Sequence, residues 1–313
     1  MKHFTFILAL LFQFGFSQSN EHEVQPFLKD IVSQFPNVRD IAIAPNGNEV
    51  MFTAQSVMGN LSAIVVIKKV GNDWGKPQVA SFSGQHFDLE PFFSHDGLRL
   101  YFVSTRPLNS AETEPKDFDI WYVERTSIRS PWSQAKNMGS PINTEYGEFF
   151  PSIAKNGNFY FTRNHPELHR KDDIYVSTLD HGSYSSPKAL PDTINTDGYE
   201  YNAFISPDES YLIFGAYARE DGFGSGELYI TYKTETSWTQ AKNLTIANSD
   251  KMDYCPFVDS KTNTLYFTSK LDRTRIKQSS PLDIKALLKE FNTYDNGLSR
   301  LYKVSFDASL YSN

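Results

Sequence analysis

The chain has 313 residues, 40% of them hydrophobic and 15% aromatic, which is enough apolar material for a large β-rich core. Its formal net charge of -7 at pH 7 speaks against nucleic acid or an anionic membrane surface as a partner. The only cysteine, Cys255, excludes an intramolecular disulfide, and its place in an apolar run reads as a small buried residue.

In chain order, residues 1–17 read as a secretory leader. Lys2 supplies the positive start, residues 4–16 the apolar region, and Gly15, Phe16 and Ser17 a cleavage site before Gln18. The apolar stretch is too short to span a membrane. The expected location is therefore the periplasm or the cell exterior.

From residue 38 a unit of sequence recurs. A phenylalanine stands in the second strand of each copy: Phe52, Phe102, Phe161, Phe214 and Phe267, spaced by 50, 59, 53 and 53 residues. Periods of this length mark propellers and related arrays. A hairpin turn precedes each anchor, at Asn46-Gly47, Asp96-Gly97, Asn156-Gly157, residues 207–209 and residues 261–263. A third strand follows, clearest as DIWYV from Asp119, DIYVS from Asp173, ELYIT from Glu227 and LYKVS from Leu301. Trp74, Trp132, Tyr184 or Trp238 then opens a fourth strand. The strands are apolar on both sides, as expected of sheets buried on both faces. The fifth copy has no fourth strand, and residues 23–31 are expected to supply it and so close the ring.

The hairpin sequences SHDG (residues 94–97) and SPDE (residues 206–209), each beside aromatic-rich strands, resemble the WD40-like (PD40) β-propeller repeats found in TolB. The resemblance covers residues 38–305 and implies an all-β, five-bladed propeller of four-stranded antiparallel blades. It leaves no room for the separate α/β domain of TolB-like proteins. Blades are expected near residues 38–87, 88–147, 148–199, 200–252 and 253–313, within one domain from residue 18, with residues 18–37 closing the last blade.

The antiparallel order puts the links between second and third strands on the same face as the links between blades. All the long inserts share this top face, which is where binding is expected. A carboxylate begins the first strand of four blades: Asp88, Glu148, Glu200 and Asp253. Ser83, Asn143, Asn195 and Asn248 stand five residues before them, and Arg106, Arg163 and Lys270 follow second strands. Two readings stand side by side. In one, the acids cap backbone N–H groups and the asparagines make local Asx turns. In the other, the acids ring the mouth of the central channel and hold a cation, a basic peptide or a sugar; Ca²⁺ would suit such oxygens. No other cofactor is expected.

The blade-five insert contains a helix signal. Ser280 and Asp283 form its start, and Ile284, Leu287, Leu288 and Phe291 share one face, expected to pack beside the mouth. No nucleophile elbow, phosphate loop or zinc pattern occurs, and His165 and His169 are separated by Pro166. The expected protein is a monomeric, non-catalytic propeller that binds a protein, peptide or glycan on its top face. The alternative is a carbohydrate-active hydrolase or lyase. Acid–base work needs unequal carboxylates, and Glu90 comes closest to lacking equivalents, Asp40 being its counterpart in blade one.

Overall fold

A computed structural model describes residues 23–109, 111, 114–164, 171–275 and 280–312. The leader, His165 and His169 lie outside the described residues. The long apolar runs fold as five antiparallel sheets arranged as the blades of a propeller. The inner strands are Asn37–Ile43, Asp88–Phe93, Glu148–Ile153, Tyr199–Ile205 and Asp253–Asp259. The second strands carry the anchors: Glu49–Gln55, Arg99–Ser104, Phe159–Asn164, Tyr211–Tyr217 and Thr264–Ser269. Third strands follow at Ser62–Val70, Asp119–Glu124, Asp172–Ser177, Glu227–Tyr232 and Arg300–Ser305. All five anchor phenylalanines are fully buried. Their rings lie between neighbouring blades, which is why both faces of each sheet read as apolar.

The fifth blade closes as its missing strand required. Gln25 and Pro26 pair with Lys303 and Tyr302, and Phe27 N–H donates to Leu301 O at 2.9 Å. Pro26, which lacks an N–H, sits on the outer strand, where its ladder partner is dispensable. The short helix Lys29–Val32 then carries the chain inward and fully buries Val32.

Two local expectations change. The fourth strands are the two-residue segments Gln78–Val79, Lys136–Asn137, Lys188–Ala189 and Lys242–Asn243, each some four residues after the aromatic. The aromatics instead occupy the turn before them. Trp74 and Tyr184 sit in small hairpins, and Trp132 stacks under the Arg125 guanidinium at 4.1 Å. The insert helix forms at Ile284–Phe291, with Asp283 itself as the cap, its carboxylate accepting from Ala286 N–H at 2.7 Å. Its apolar face packs only in part: Leu287 is half-buried, Ile284, Leu288 and Phe291 are exposed, and no residue of the helix is buried.

If the terminal strand closes the ring, deleting residues 18–32 should lower the melting temperature by roughly 10 °C or more, as loss of several kcal/mol does in a domain of this size. A melt equal to that of the intact chain would remove the closure strand from the account.

Candidate functional site

The four strand-opening carboxylates are completely buried. Each is tied to the loop that enters its strand. Asp88 accepts from Ser83 Oγ at 2.7 Å and Ser104 Oγ at 2.6 Å. Glu148 accepts from the backbone N–H (3.1 Å) and hydroxyl (2.6 Å) of Thr144, and Glu200 likewise from Thr196 at 2.9 and 2.7 Å. Asp253 accepts from the N–H and hydroxyl of Ser249. Three of them also hold an arginine: Arg106 at 2.7 Å from Asp88, Arg163 at 3.0 Å from Glu148 and Arg219 at 3.1 Å from Glu200. Each guanidinium lies over the anchor phenylalanine of its blade and an aromatic of the third strand, as Arg163 does over Phe161 and Tyr175, both at 5.1 Å. Lys270, in the corresponding stretch of blade five, is exposed.

Each of the four acids is thus held by partners of its own. Among the described residues no hydrogen bond or ion pair joins the four acids, and a cation would have to displace the hydroxyls they hold and, in three of them, an arginine. Among the described residues there is no group of three or more metal-ligating side chains. The asparagines act across the sheet and do not form local turns. Asn143, Asn195 and Asn248 each accept from the N–H and donate to the carbonyl of one third-strand residue: Ile120, Ile174 and Leu228 respectively. Ser83 does the first half of this, accepting from Ile64 N–H. The acids cap backbone N–H groups in three blades, those of Thr144, Thr196 and Ser249, which lie four residues upstream of each acid.

The channel itself is built by a different set. Every inner strand has a register shift, and at each stands a non-glycine residue in the left-handed region: Asp40, Glu90, Phe150, Asn202 and Cys255, with φ between 49° and 59°. A bulge of this kind re-aims one side chain, and here it turns polar groups toward the axis. The bulge also frees a backbone N–H. For Asp40, Glu90 and Asn202 the acceptor is the hydroxyl of Thr268, Thr53 or Thr162, the residue after an anchor in the preceding blade, each at 3.1 Å. In blade two that residue is Val103, which cannot accept. The N–H of Phe150 is taken instead by Glu90 Oε2, at 2.7 Å.

These side chains close a network across the channel. Arg39 donates from Nε to Asp40 Oδ1 at 2.9 Å and from Nη2 to Glu90 Oε1 at 2.7 Å. Cys255 Sγ donates to Asp40 Oδ1 at 2.6 Å, and Asn202 Nδ2 approaches Glu90 Oε1 at 3.4 Å. Asp40 and Glu90 are 1% and 3% exposed. Burial is the main influence on Glu90 and pushes its carboxyl up to about 7; the guanidinium of Arg39 pulls the other way. Burial likewise raises Glu148 to about 7, against the bonds from Thr144. Burial pushes the Cys255 thiol up, so it is a poor nucleophile.

Above this plug the top face opens into a pocket of about 440 Å³ walled by Phe149, Tyr199, Tyr201, Tyr217, Met252 and Tyr254. Arg39 forms part of its lining, lies 5.3 Å from the Tyr254 ring and has a 20% exposed side chain. A second depression of about 430 Å³ shares Phe149 and Asp172 with the first and extends it toward blade two. Of the residues singled out in the sequence, Glu90, its counterpart Asp40 and Cys255 reach the channel; the pocket aromatics and Arg39 went unnoticed. A signal was available one residue after the strand-opening positions, where Arg39, Phe149, Tyr201 and Tyr254 stand in four of the five blades.

No family model and no curated protein sequence matches the chain. Solved structures do. A GH43 endo-arabinanase from Bacillus licheniformis is 15% identical with a TM-score of 0.51, over 88% of this chain and 96% of that one. A glycoside hydrolase is 7% identical with a TM-score of 0.54, over 87% and 89%. TolB from Acinetobacter baumannii is 15% identical with a TM-score of 0.45, over 86% of this chain; the chain spans about half (54%) of TolB's length. At such identities the likeness is one of fold, the five-bladed propeller.

Two outcomes test these assignments. Glu148→Ala should cost about 3–5 kcal/mol, because Arg163 stays buried without its partner. Glu148→Gln should cost much less, since an amide oxygen still accepts from Thr144. The second outcome concerns pH. Glu90 and Glu148 keep their protons in the folded state up to about 7, against 4.5 unfolded. Their contribution to stability is thus greatest below 4.5 and is lost as pH rises through 7. Glu90→Gln should flatten that slope by up to about 3 kcal/mol in chemical melts. A slope unchanged in the variant would show that Glu90 does not titrate there.

Proposed function

We propose that this chain is an exported, non-catalytic propeller that binds a peptide or glycan along the groove on its top face. The observation that carries this is the state of the two channel carboxylates. Asp40 and Glu90 lie beneath the pocket with their oxygens taken by Arg39, Cys255, Asn202 and backbone N–H groups. A glycosidic acid or nucleophile must touch its substrate, and neither group is accessible. What the ligand meets is a wall of aromatic rings, which suits apolar side chains or the flat faces of sugars. The leader at residues 1–17 supports export. The two connected depressions favour an extended ligand over a small one.

The alternative, hydrolysis of a polysaccharide such as the arabinan of the neighbour's name, draws on the glycoside hydrolase folds and on the raised Glu90. It requires Arg39 to leave both carboxylates. A peptide and glycan array, followed by calorimetry, separates the two readings. Binding without bond cleavage is expected, and Tyr199→Ala with Tyr217→Ala should abolish it while leaving the melt unchanged, both rings being at the rim. A ligand at 100 times its dissociation constant should stabilise the wild type by about 2.7 kcal/mol. Release of reducing sugar that disappears in Glu90→Gln would replace this reading with the enzymatic one.

A further inference from the structure

The insert helix of blade five is amphipathic in the wrong direction for a folded domain. Ala286, Leu287 and Glu290 are its less exposed positions, whereas Ile284, Leu288 and Phe291 are 70%, 51% and 62% exposed. A second exposed apolar group lies on the adjacent blade, in the loop between the second and third strands of blade one: Val57, Met58 and Leu61. Hydrogen bonds at either end of the stretch from Asn296 to Ser299 link the two loops. Asn296 Nδ2 donates to Phe291 O at 3.2 Å, Ser299 N–H donates to Asn37 Oδ1 at 3.0 Å, and Asn37 Nδ2 donates to the carbonyls of Ser56 and Val57 at 3.3 Å. Both groups stand on the top face, on adjacent blades.

Lysines stand beside this patch. Lys285 and Lys289 flank the exposed helix face on one side, and Lys270 stands at the base of the insert; all three are exposed, and no ion pair is found for them among the described residues. The acids of the insert are turned to other tasks: Asp283 caps the helix, Glu290 holds Arg275, and Asp295 pairs with Arg273. Apolar side chains that point outward, with lysines whose long stems can lie along them, form the pattern of a segment lying in a membrane interface.

We propose that this patch docks the propeller onto an anionic lipid surface, with Ile284, Leu288, Phe291 and Met58 entering the headgroup boundary and the lysines meeting lipid phosphates. Docking is peripheral: among the described residues no helix is long and apolar enough to cross a membrane. The net charge of -7 repels the rest of the molecule from such a surface, so it also orients the approach. The proposal is independent of the pocket, whose aromatics belong to blades three to five.

The test is flotation of the full chain with vesicles of phosphatidylcholine alone and of an equal mixture with phosphatidylglycerol. The wild type should float with the mixed vesicles, little with the neutral ones, and less as salt rises. Lys285→Gln with Lys289→Gln should weaken binding about 30-fold, each lysine near the surface being worth about a factor of five. Ile284→Ser, Leu288→Ser and Phe291→Ser together should abolish flotation without lowering the melting temperature, since these side chains are already wet. No flotation of the wild type, or equal flotation of the serine variant, would overturn the proposal. So would a concentration-dependent dimer that the serine variant dissolves, because a second copy of the chain would then be what covers the face.

Discussion

The structure depends on a buried ion pair repeated from blade to blade. An acid at the start of the inner strand is held by a hydroxyl of the entering loop and, in blades two to four, by an arginine stacked on the anchor ring. Taking such charges out of water is costly, and the cost is offset here by the hydroxyls, backbone N–H groups and guanidinium groups that meet the carboxylates. The pair therefore works as a clamp of fixed geometry. It sets how the chain leaves one blade and enters the next, and so the angle at which blades meet.

Inside that frame, the five inner strands solve a shared problem in unlike ways. A bulge in each exposes a backbone N–H to the channel, where an unpaired donor is expensive. Threonine hydroxyls of neighbouring blades satisfy three of them. Where the residue is valine, a glutamate of the same blade reaches to the next blade to do so, and an arginine of blade one pairs with it. The channel loses the symmetry of the fold at this point. The asymmetry has a structural origin, the valine at position 103 and the glutamate that makes up for it.

The function of such a scaffold lies in what its loops present. The frame holds Phe149, Tyr201 and Tyr254 rigidly beside the plug, while Tyr199 and Tyr217 face each other at the rim with ring centroids 6.3 Å apart. A rigid aromatic wall over a closed channel favours recognition, because rings lose little freedom when a ligand covers them. The exposed helix on blade five is a separate device on the same face.

The repeat was legible in the sequence because propeller blades are bound by local rules. An apolar second strand, a tight turn and a fixed period are written in consecutive residues, and Phe52, Phe102, Phe161, Phe214 and Phe267 could be found by counting. The missing fourth strand of blade five followed from the same count. The roles of Asp88, Glu148 and Glu200 were not legible, because position alone places a carboxylate at a strand start and does not say which way it turns. Only the packed structure supplied Arg106, Arg163 and Arg219 as partners. The network of Arg39, Asp40, Glu90, Asn202 and Cys255 joins residues up to 216 positions apart. Five strands must converge before those side chains meet. Sequence by itself determined the blades, since each is a local pattern; tertiary structure decided the channel and the pocket, since both exist only where residues of separate blades come together.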